Sequence, residues 1–358
     1  MIEKDDLRAS VSAGIVTEAQ AAALMTLAHS RSGARENLAP GDEPFELFRG
    51  FNEIFIVVGM AILAIGWIGM VTFWITSDPL NTRNTLIVSS IASAAVLWAL
   101  SEYFIRKRRM VAPAIALAIL FAVNAAYGMA GAFSELFMVA QGDNSSLPLP
   151  LSLATLVLLA FWLRFRVPFA LSLIALAGFG IAILIAGNSS GSPQSVEQLF
   201  LLSAGGPFAW ITLVLGLVVF AIAMMFDMSD PHRVTRRCAN GFWLHVVAAP
   251  ALVNTIALTL LDREESWSNA MLVAVLTLFA LVAILIDRRS FLIAAIGYTV
   301  ILTATIFEGD GAVFTVFFLG VVLLFLGARW ERIRGRLLAI MPGFLPLHRL
   351  PPSHMTRA

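Results

Sequence analysis

Polar side chains inside long apolar runs are where this sequence could do chemistry, and the run Phe242–Asn254 holds three residues of interest: His245, Pro250 and Asn254. A polar group at membrane depth is costly, which makes it a functional candidate by default. If Gly241 marks the edge of the apolar layer, His245 lies about 6 Å inside it and Asn254 about 20 Å deep, at 1.5 Å per helical residue. Nine residues separate them, so a regular helix puts them on opposite faces. Pro250 cannot donate to the Val246 carbonyl and its ring crowds that group, so it marks a structural kink or a hinge. An imidazole such as that of His245 ordinarily titrates near neutral pH.

A second group follows helical spacing. Asn124, Gly128, Gly131 and Glu135 stand at i, i+4, i+7 and i+11, with Tyr127 beside them. That stripe reads as a helix-packing seam with one interhelical hydrogen bond, or as a wall of a polar pathway. Asn52, Gly59 and Gly66 share a face of the first apolar run, and Gly320 and Gly327 share one near the last; both read as packing seams. Arg49 and Glu53 are spaced for an i, i+4 pair. Tyr298, Thr299, Thr303 and Thr305 sit in a later run and read as residues bonded to their own helix. Glu308 and Asp310 read as solvated. Asp227 and Asp230 are expected to face the cytoplasm, with Asp230-Pro231 as a helix start. Cys238, the one cysteine, reads as a small buried hydrophobe, and no intramolecular disulfide can form.

Enzymatic signatures are absent from the sequence. There is no Gly-rich phosphate loop with lysine, no Gly-x-Ser-x-Gly elbow and no His-Glu-x-x-His. His245 has no second ligand in register, so no metal site is expected, and neither a catalytic residue nor a cofactor is assigned.

The elements that position these residues follow from composition. Of 358 residues 59% are hydrophobic and 13% charged, against roughly 25% charged in soluble domains. Mean hydropathy is +0.86. The fold class is therefore all-α, a polytopic transmembrane helical bundle with the lipid bilayer as its main partner. Ten runs are long enough to span: about 51–75, 84–104, 111–139, 147–164, 167–187, 207–228, 241–262, 269–286, 290–307 and 311–330. The third is long and is expected to tilt or to extend past the bilayer. Basic residues test the count. All 24 Lys and Arg except Arg83 and Arg263 fall on alternate connections or at the chain ends, and the positive-inside rule makes that side, with both termini, cytoplasmic. The net charge of +1 implies no partner, and nothing points to nucleic acid.

Outside the spans, residues 1–44 read as a small cytoplasmic helical cap and linker. Gly14 is expected in the left-handed region after a first helix, and Thr17-Glu18-Ala19-Gln20 has capping-box spacing. This cap is where a protein partner would bind. Residues 45–330 form the bundle. The segment Val196–Leu202 is expected as a short interfacial helix. Residues 331–358 read as a basic amphipathic tail along the membrane surface, poorly ordered from Pro342.

Three short stretches carry a family resemblance: Gly14-Ile15-Val16-Thr17-Glu18-Ala19-Gln20-Ala21, Phe48-Arg49-Gly50-Phe51-Asn52-Glu53-Ile54-Phe55, and Phe242-Trp243-Leu244-His245 leading to Ala248-Ala249-Pro250. Together they resemble uncharacterised bacterial multi-span membrane proteins, a domain-of-unknown-function family with a short amphipathic N-terminal segment. The resemblance implies a bacterial inner-membrane location and no activity, so it supplies no site residues. The span count is similar to that of the drug/metabolite transporter superfamily, from which the N-terminal cap and the lack of a clear half-repeat depart. Two functions are expected from these observations. One is a permease for a small solute or lipid-like molecule. The other is a non-transporting scaffold or sensor that recruits a partner.

Overall fold

In a computed structural model of the chain, the residues described are 9–17, 20, 24, 51–193, 195–231, 236–263, 266–288, 310–341 and 349–351. The chain divides into two compact units, Met1–Glu46 and Leu47–Ala358. In the first unit Gly14 has φ +69°, and the Ile15 N–H closes back on the Ser10 carbonyl at 2.9 Å. This is a glycine terminating a helix where a Cβ would be strained. Thr17 N–H donates to Gln20 Oε1 at 2.9 Å, and Gln20 N–H donates to Thr17 Oγ1 at 3.2 Å. The reciprocal pair satisfies two helix-start donors. The other expectations for residues 18–44, and for Arg49, lie outside the described residues.

The second unit runs α1 (Phe51–Ser77), α2 (Thr82–Ser101, widening into a π-turn over Glu102–Lys107), α3 (Ala112–Phe133), α4 (Leu136–Ala140) and α5 (Pro148–Phe165). It continues with α6 (Pro168–Ser190), α7 (Phe208–Met228), α8 (Arg236–Leu261), α9 (Ser266–Ile286) and α10 (Asp310–Ile340). No strand occurs among the described residues. Seven helices among those residues are long and apolar enough to cross a membrane: α1, α2 with its flanking turns, α3, α5, α6, α7 and α8. Helices α9 and α10 occupy the eighth and tenth expected ranges, while 290–307, with Tyr298 and the threonines, lies outside the described residues. Phe55, Leu63, Ile65 and Phe73 of α1 are exposed, which is compatible with contact with lipid.

Helix α8 is the hub. In its apolar window 56% of residues are buried, against at most 33% in the other spans. Ala248, Ala249, Ala251 and Ala257 leave little side chain between it and its neighbours, and a Cβ on Gly216 of α7 would stand 3.0 Å from that of Ala251. One core joins α8 to α9 through Ala249, Leu252, Leu272 and Leu276. Another joins it to α6 and α7 through Phe179, Val219, Ala223 and Leu244. A third is aromatic and ties α3 to α5 through Phe121, Phe161 and Phe165.

Three expectations are corrected. The third span stops at Phe133, where Ser134 turns extended (φ −95°, ψ 162°) and caps Ala130 with its own Oγ at 2.5 Å. In Val196–Leu202 the expected short helix is only a 3-10 turn, Glu197–Leu199, and its continuation is tied to the end of α8, with Leu202 N–H on Thr259 Oγ1 (3.0 Å) and Ser203 Oγ on Asp262 Oδ2 (2.6 Å). Gly59, Gly66 and Gly320 have no neighbour within 4 Å of an added Cβ, so among the described residues they make no seam. Residues 331–340 continue α10, which is about 46 Å long at 1.5 Å per residue, against a hydrocarbon core of about 30 Å. Of the tail, 342–348 and 352–358 lie outside the described residues.

Charges fix α3 at both ends. The buried Glu53 carboxylate accepts from Val111 N–H (3.4 Å) and Ala112 N–H (3.0 Å) at its start. Arg83 donates to the Ala132 and Ser134 carbonyls at its finish, at 2.8 and 2.9 Å. A carboxylate at the helix N-terminus and a guanidinium at the C-terminus both oppose the backbone dipole. Glu53→Ala should cost about 1–2 kcal/mol by leaving the helix start without its acceptor. Equilibrium unfolding of the detergent-solubilised protein would register it.

Candidate functional site

The site lies at the end of the bundle that carries the basic connections. Asp227 is the penultimate residue of α7, and α8 returns beside it with Cys238, Gly241 and His245 at i, i+3 and i+7, one helix face. Arg288 arrives from the turn after α9. It can reach back because Asp287 adopts φ +56° and Arg288 N–H bonds the Ala283 carbonyl at 2.8 Å.

Four groups converge. Arg288 Nε donates to Asp227 Oδ2 at 3.0 Å and Nη2 to Oδ1 at 2.5 Å, a bidentate pair. His245 Nε2 stands 3.0 Å from Asp227 Oδ2; an ionised carboxylate only accepts, so the Nε2–H is the donor. Arg288 Nη2 also donates to the Cys238 carbonyl at 3.0 Å and lies 3.5 Å from Cys238 Sγ. Relative exposures are 5% for Asp227, 0% for His245 and 1% for Arg288, so this is a charge pair taken out of solvent. Such a pair survives only when its remaining donors and acceptors are engaged. Gly241 makes room for it: a Cβ there would collide with Asp227 Oδ1 and stand 3.1 Å from its Cγ and 3.3 Å from the Ala223 carbonyl oxygen. The Phe220 ring meets the imidazole edge-on at 5.4 Å.

No protein-family model, curated protein or solved structure matches this chain. The chemistry of the site therefore has to be read from its own atoms. The carboxylate is held ionised between a guanidinium and an imidazole, and the three residues sit on three different elements: α7, α8 and the turn after α9. Around it, Trp330 Nε1 of α10 donates to Asp287 Oδ1 at 2.6 Å, and Asp230 is also buried. Among the described residues no three His, Cys, Asp or Glu side chains gather as a metal site.

The sequence candidates are dispersed. His245 is at this centre; its partner Asp227 is buried against the Arg288 guanidinium rather than solvated, and Asp230 is buried too. Pro231 lies in a turn and α8 is described from Arg236. Pro250 is exposed and lies within an α8 that runs as one helix from Arg236 to Leu261. Asn254 is half-buried on the same helix. Asn124 sits between α3 and α2, donating from Nδ2 to the Ser90 carbonyl at 3.0 Å, with Gly128 and Gly131 closing on Ser90 and Leu86. Tyr127 is more than one-third exposed. Glu135 falls beyond the end of α3, exposed, and its backbone N–H bonds Ser146 Oγ at 3.1 Å. These five residues and Pro250 therefore do not form one constellation.

Reading by sequence missed Asp227 and Arg288. Both sit where apolar runs end, and a charge at that position looks solvated. The signal available was the match in depth: an acid closing the sixth run, a histidine early in the seventh and an arginine closing the eighth.

Proposed function

We propose that the protein is a bacterial inner-membrane permease for a small solute, with ten spans and the basic end cytoplasmic, in which Asp227 takes up and releases a proton as the solute crosses. The observation that carries this reading is the buried Asp227 carboxylate shared between Arg288 and His245. Ionisable groups in membrane helices are costly, pair with one another and are functional candidates by default, ion and proton pathways among them. A proton passed to Asp227 removes the charge that holds Arg288, and the turn after α9 loses its tie to α7. Release of the proton to water restores the pair. Solute passage is linked to that exchange by the differential stability of the two states. Within this reading the chain is a membrane protein of the kind its three short motifs resemble.

The test is reconstitution into liposomes loaded with a pH-sensitive dye, with an imposed pH gradient and a panel of sodium lactate, potassium chloride, glycine betaine and glutamate outside. At least one solute should collapse the gradient with wild-type protein and not with Asp227→Asn. A gradient indifferent to every solute, together with normal cellular behaviour of Asp227→Asn, would remove the permease reading.

One observation favours the scaffold alternative. Met1–Glu46 is one of the chain's two compact units, as a recruiting module would be. Deletion of residues 1–40 should then abolish co-purification of a protein partner, and an unchanged set of co-purifying proteins would count against it.

A further inference from the structure

Helices α2 and α5 finish at one basic patch. The π-turn that closes α2, with Arg108 N–H on the Tyr103 carbonyl at 2.9 Å, is followed by Arg109 at φ +53°. Helix α5 closes on Arg166, also at φ +53°. Left-handed backbone is uncommon for such side chains. Glu102 ties the two ends together: one oxygen holds Arg106 Nη1 at 3.1 Å and the other holds Arg164 Nη2 at 2.7 Å. Arg106, Lys107, Arg108, Arg109, Arg164 and Arg166 are all exposed. Within these two helix ends the Glu102 carboxylate is the one opposing charge, on a chain whose net charge is +1. The Arg166 guanidinium lies over the Trp162 ring, 4.8 Å from its centroid. The Trp162 Nε1–H is buried and has no acceptor among the described residues, a costly state for a donor. Next to the cations the surface is apolar. Leu163 and, two turns earlier on the same face of α5, Leu156 are exposed, as is Val96 of α2. Positive-inside topology asks only for basic residues on these connections. It does not ask that two helix ends share a carboxylate, or that a guanidinium cover an indole whose N–H lacks an acceptor.

We propose that the joined ends of α2 and α5 bind the headgroup phosphate of an acidic phospholipid through Arg106, Arg164 and Arg166. A guanidinium carries five N–H donors in a planar fork. Glu102 engages one nitrogen of Arg106 and one of Arg164, which leaves the other donors of both for a phosphate. Such forks match two oxygens of a phosphate at once. Glu102 also holds together two cations that would otherwise repel, so the pair is set before the ligand arrives and less ordering is paid on binding. As Arg166 turns from the indole to the phosphate, the Trp162 N–H gains an oxygen acceptor from the headgroup or the adjoining ester. Both α2 and α5 are long and apolar enough to span a membrane, and a patch at their ends lies at headgroup depth. Leu163 and Leu156 then meet the acyl chains. An acidic head on an apolar tail satisfies both parts of the surface, whereas an acidic peptide or a free phosphate satisfies only the cations. Bound lipid clamps α2 to α5 whatever crosses the membrane, so the site stands apart from the permease reading.

The experiment is native mass spectrometry of the purified full chain mixed with equal amounts of phosphatidylglycerol and phosphatidylcholine of identical acyl chains. Wild type should retain phosphatidylglycerol over phosphatidylcholine by about fivefold or more. The triple variant Arg106→Gln/Arg164→Gln/Arg166→Gln should bring that ratio to within about twofold of unity. Arg329→Gln/Arg332→Gln/Arg336→Gln removes the same charge from exposed positions on α10 and should keep the wild-type ratio. Excess inorganic phosphate should leave the ratio unchanged. No preference in wild type, or a preference retained by the first triple variant, would overturn the proposal. Equal losses in the two triple variants would also overturn it, because charge alone would then be acting. Displacement of the lipid by inorganic phosphate would make this a free-anion site and overturn the lipid assignment. If the first triple variant loses helix content, Arg166→Gln decides, since Arg166 is in no ion pair printed by its geometry with Glu102: a ratio cut by about half or more supports the site, and an unchanged ratio overturns it.

Discussion

Arg288→Met should cost about 3–5 kcal/mol of stability, the scale for removing one partner of a buried ion pair. The loss comes less from the missing attraction than from what remains, a carboxylate on Asp227 at 5% exposure with only His245 to bond it. The double variant Asp227→Leu/Arg288→Met should recover most of that loss, because apolar side chains of similar volume often match or exceed a buried pair in stability. Equilibrium unfolding of the two variants in detergent checks both statements. The comparison also separates roles. If the centre only fastens α7, α8 and the turn after α9 together, the double variant should behave as wild type in cells. If Asp227 works as a proton site, the double variant folds and is inactive.

Gly241→Ala should cost about 2–4 kcal/mol, combining overpacking with distortion of a charged hydrogen bond. The added methyl would collide with Asp227 Oδ1 and crowd the Ala223 carbonyl oxygen, which is backbone and cannot swing away. Two other glycines calibrate the effect. For Gly216→Ala the three nearest atoms belong to the side chains of Ala251 and Leu252, at 3.0–3.3 Å, and the change should cost less. Gly59→Ala meets nothing within 4 Å and should be neutral or slightly stabilising, since alanine loses less backbone entropy in a helix. The order Gly241, Gly216, Gly59 in unfolding free energy is the expected result. A Gly241→Ala protein as stable as Gly59→Ala would mean that the carboxylate is not confined as described.

Helices were legible in the sequence because their signal is local and repeated. Apolar length and the flanking basic residues placed the limits of α5, α6 and α7 within a few residues, and Thr17 with Gln20 announced its capping box through spacing alone. What stayed hidden is long-range pairing. The i, i+4 spacing pairs Glu53 with Arg49, whereas its carboxylate serves backbone N–H groups more than 55 positions later. Arg83 looked like a lone external charge and in fact terminates α3. Asp227 and Arg288 are 61 residues apart in sequence, and each alone resembles the ordinary charge at the end of a membrane run. Chain order cannot tell a solvated terminal charge from one turned inward, because that depends on which helix lies alongside. Gly241 was likewise silent: its lack of a side chain matters only once Asp227 is known to occupy that space.

The central claim is that the Asp227 carboxylate moves a proton. Its most direct test is proton entry into dye-loaded liposomes holding equal amounts of wild-type protein or the folded Asp227→Leu/Arg288→Met variant, under the same pH gradient and solute panel. Solute-dependent proton entry with wild type, reduced to the level of empty liposomes in the variant, is the result expected here. Equal entry through both proteins would contradict it and leave the centre as a structural tie.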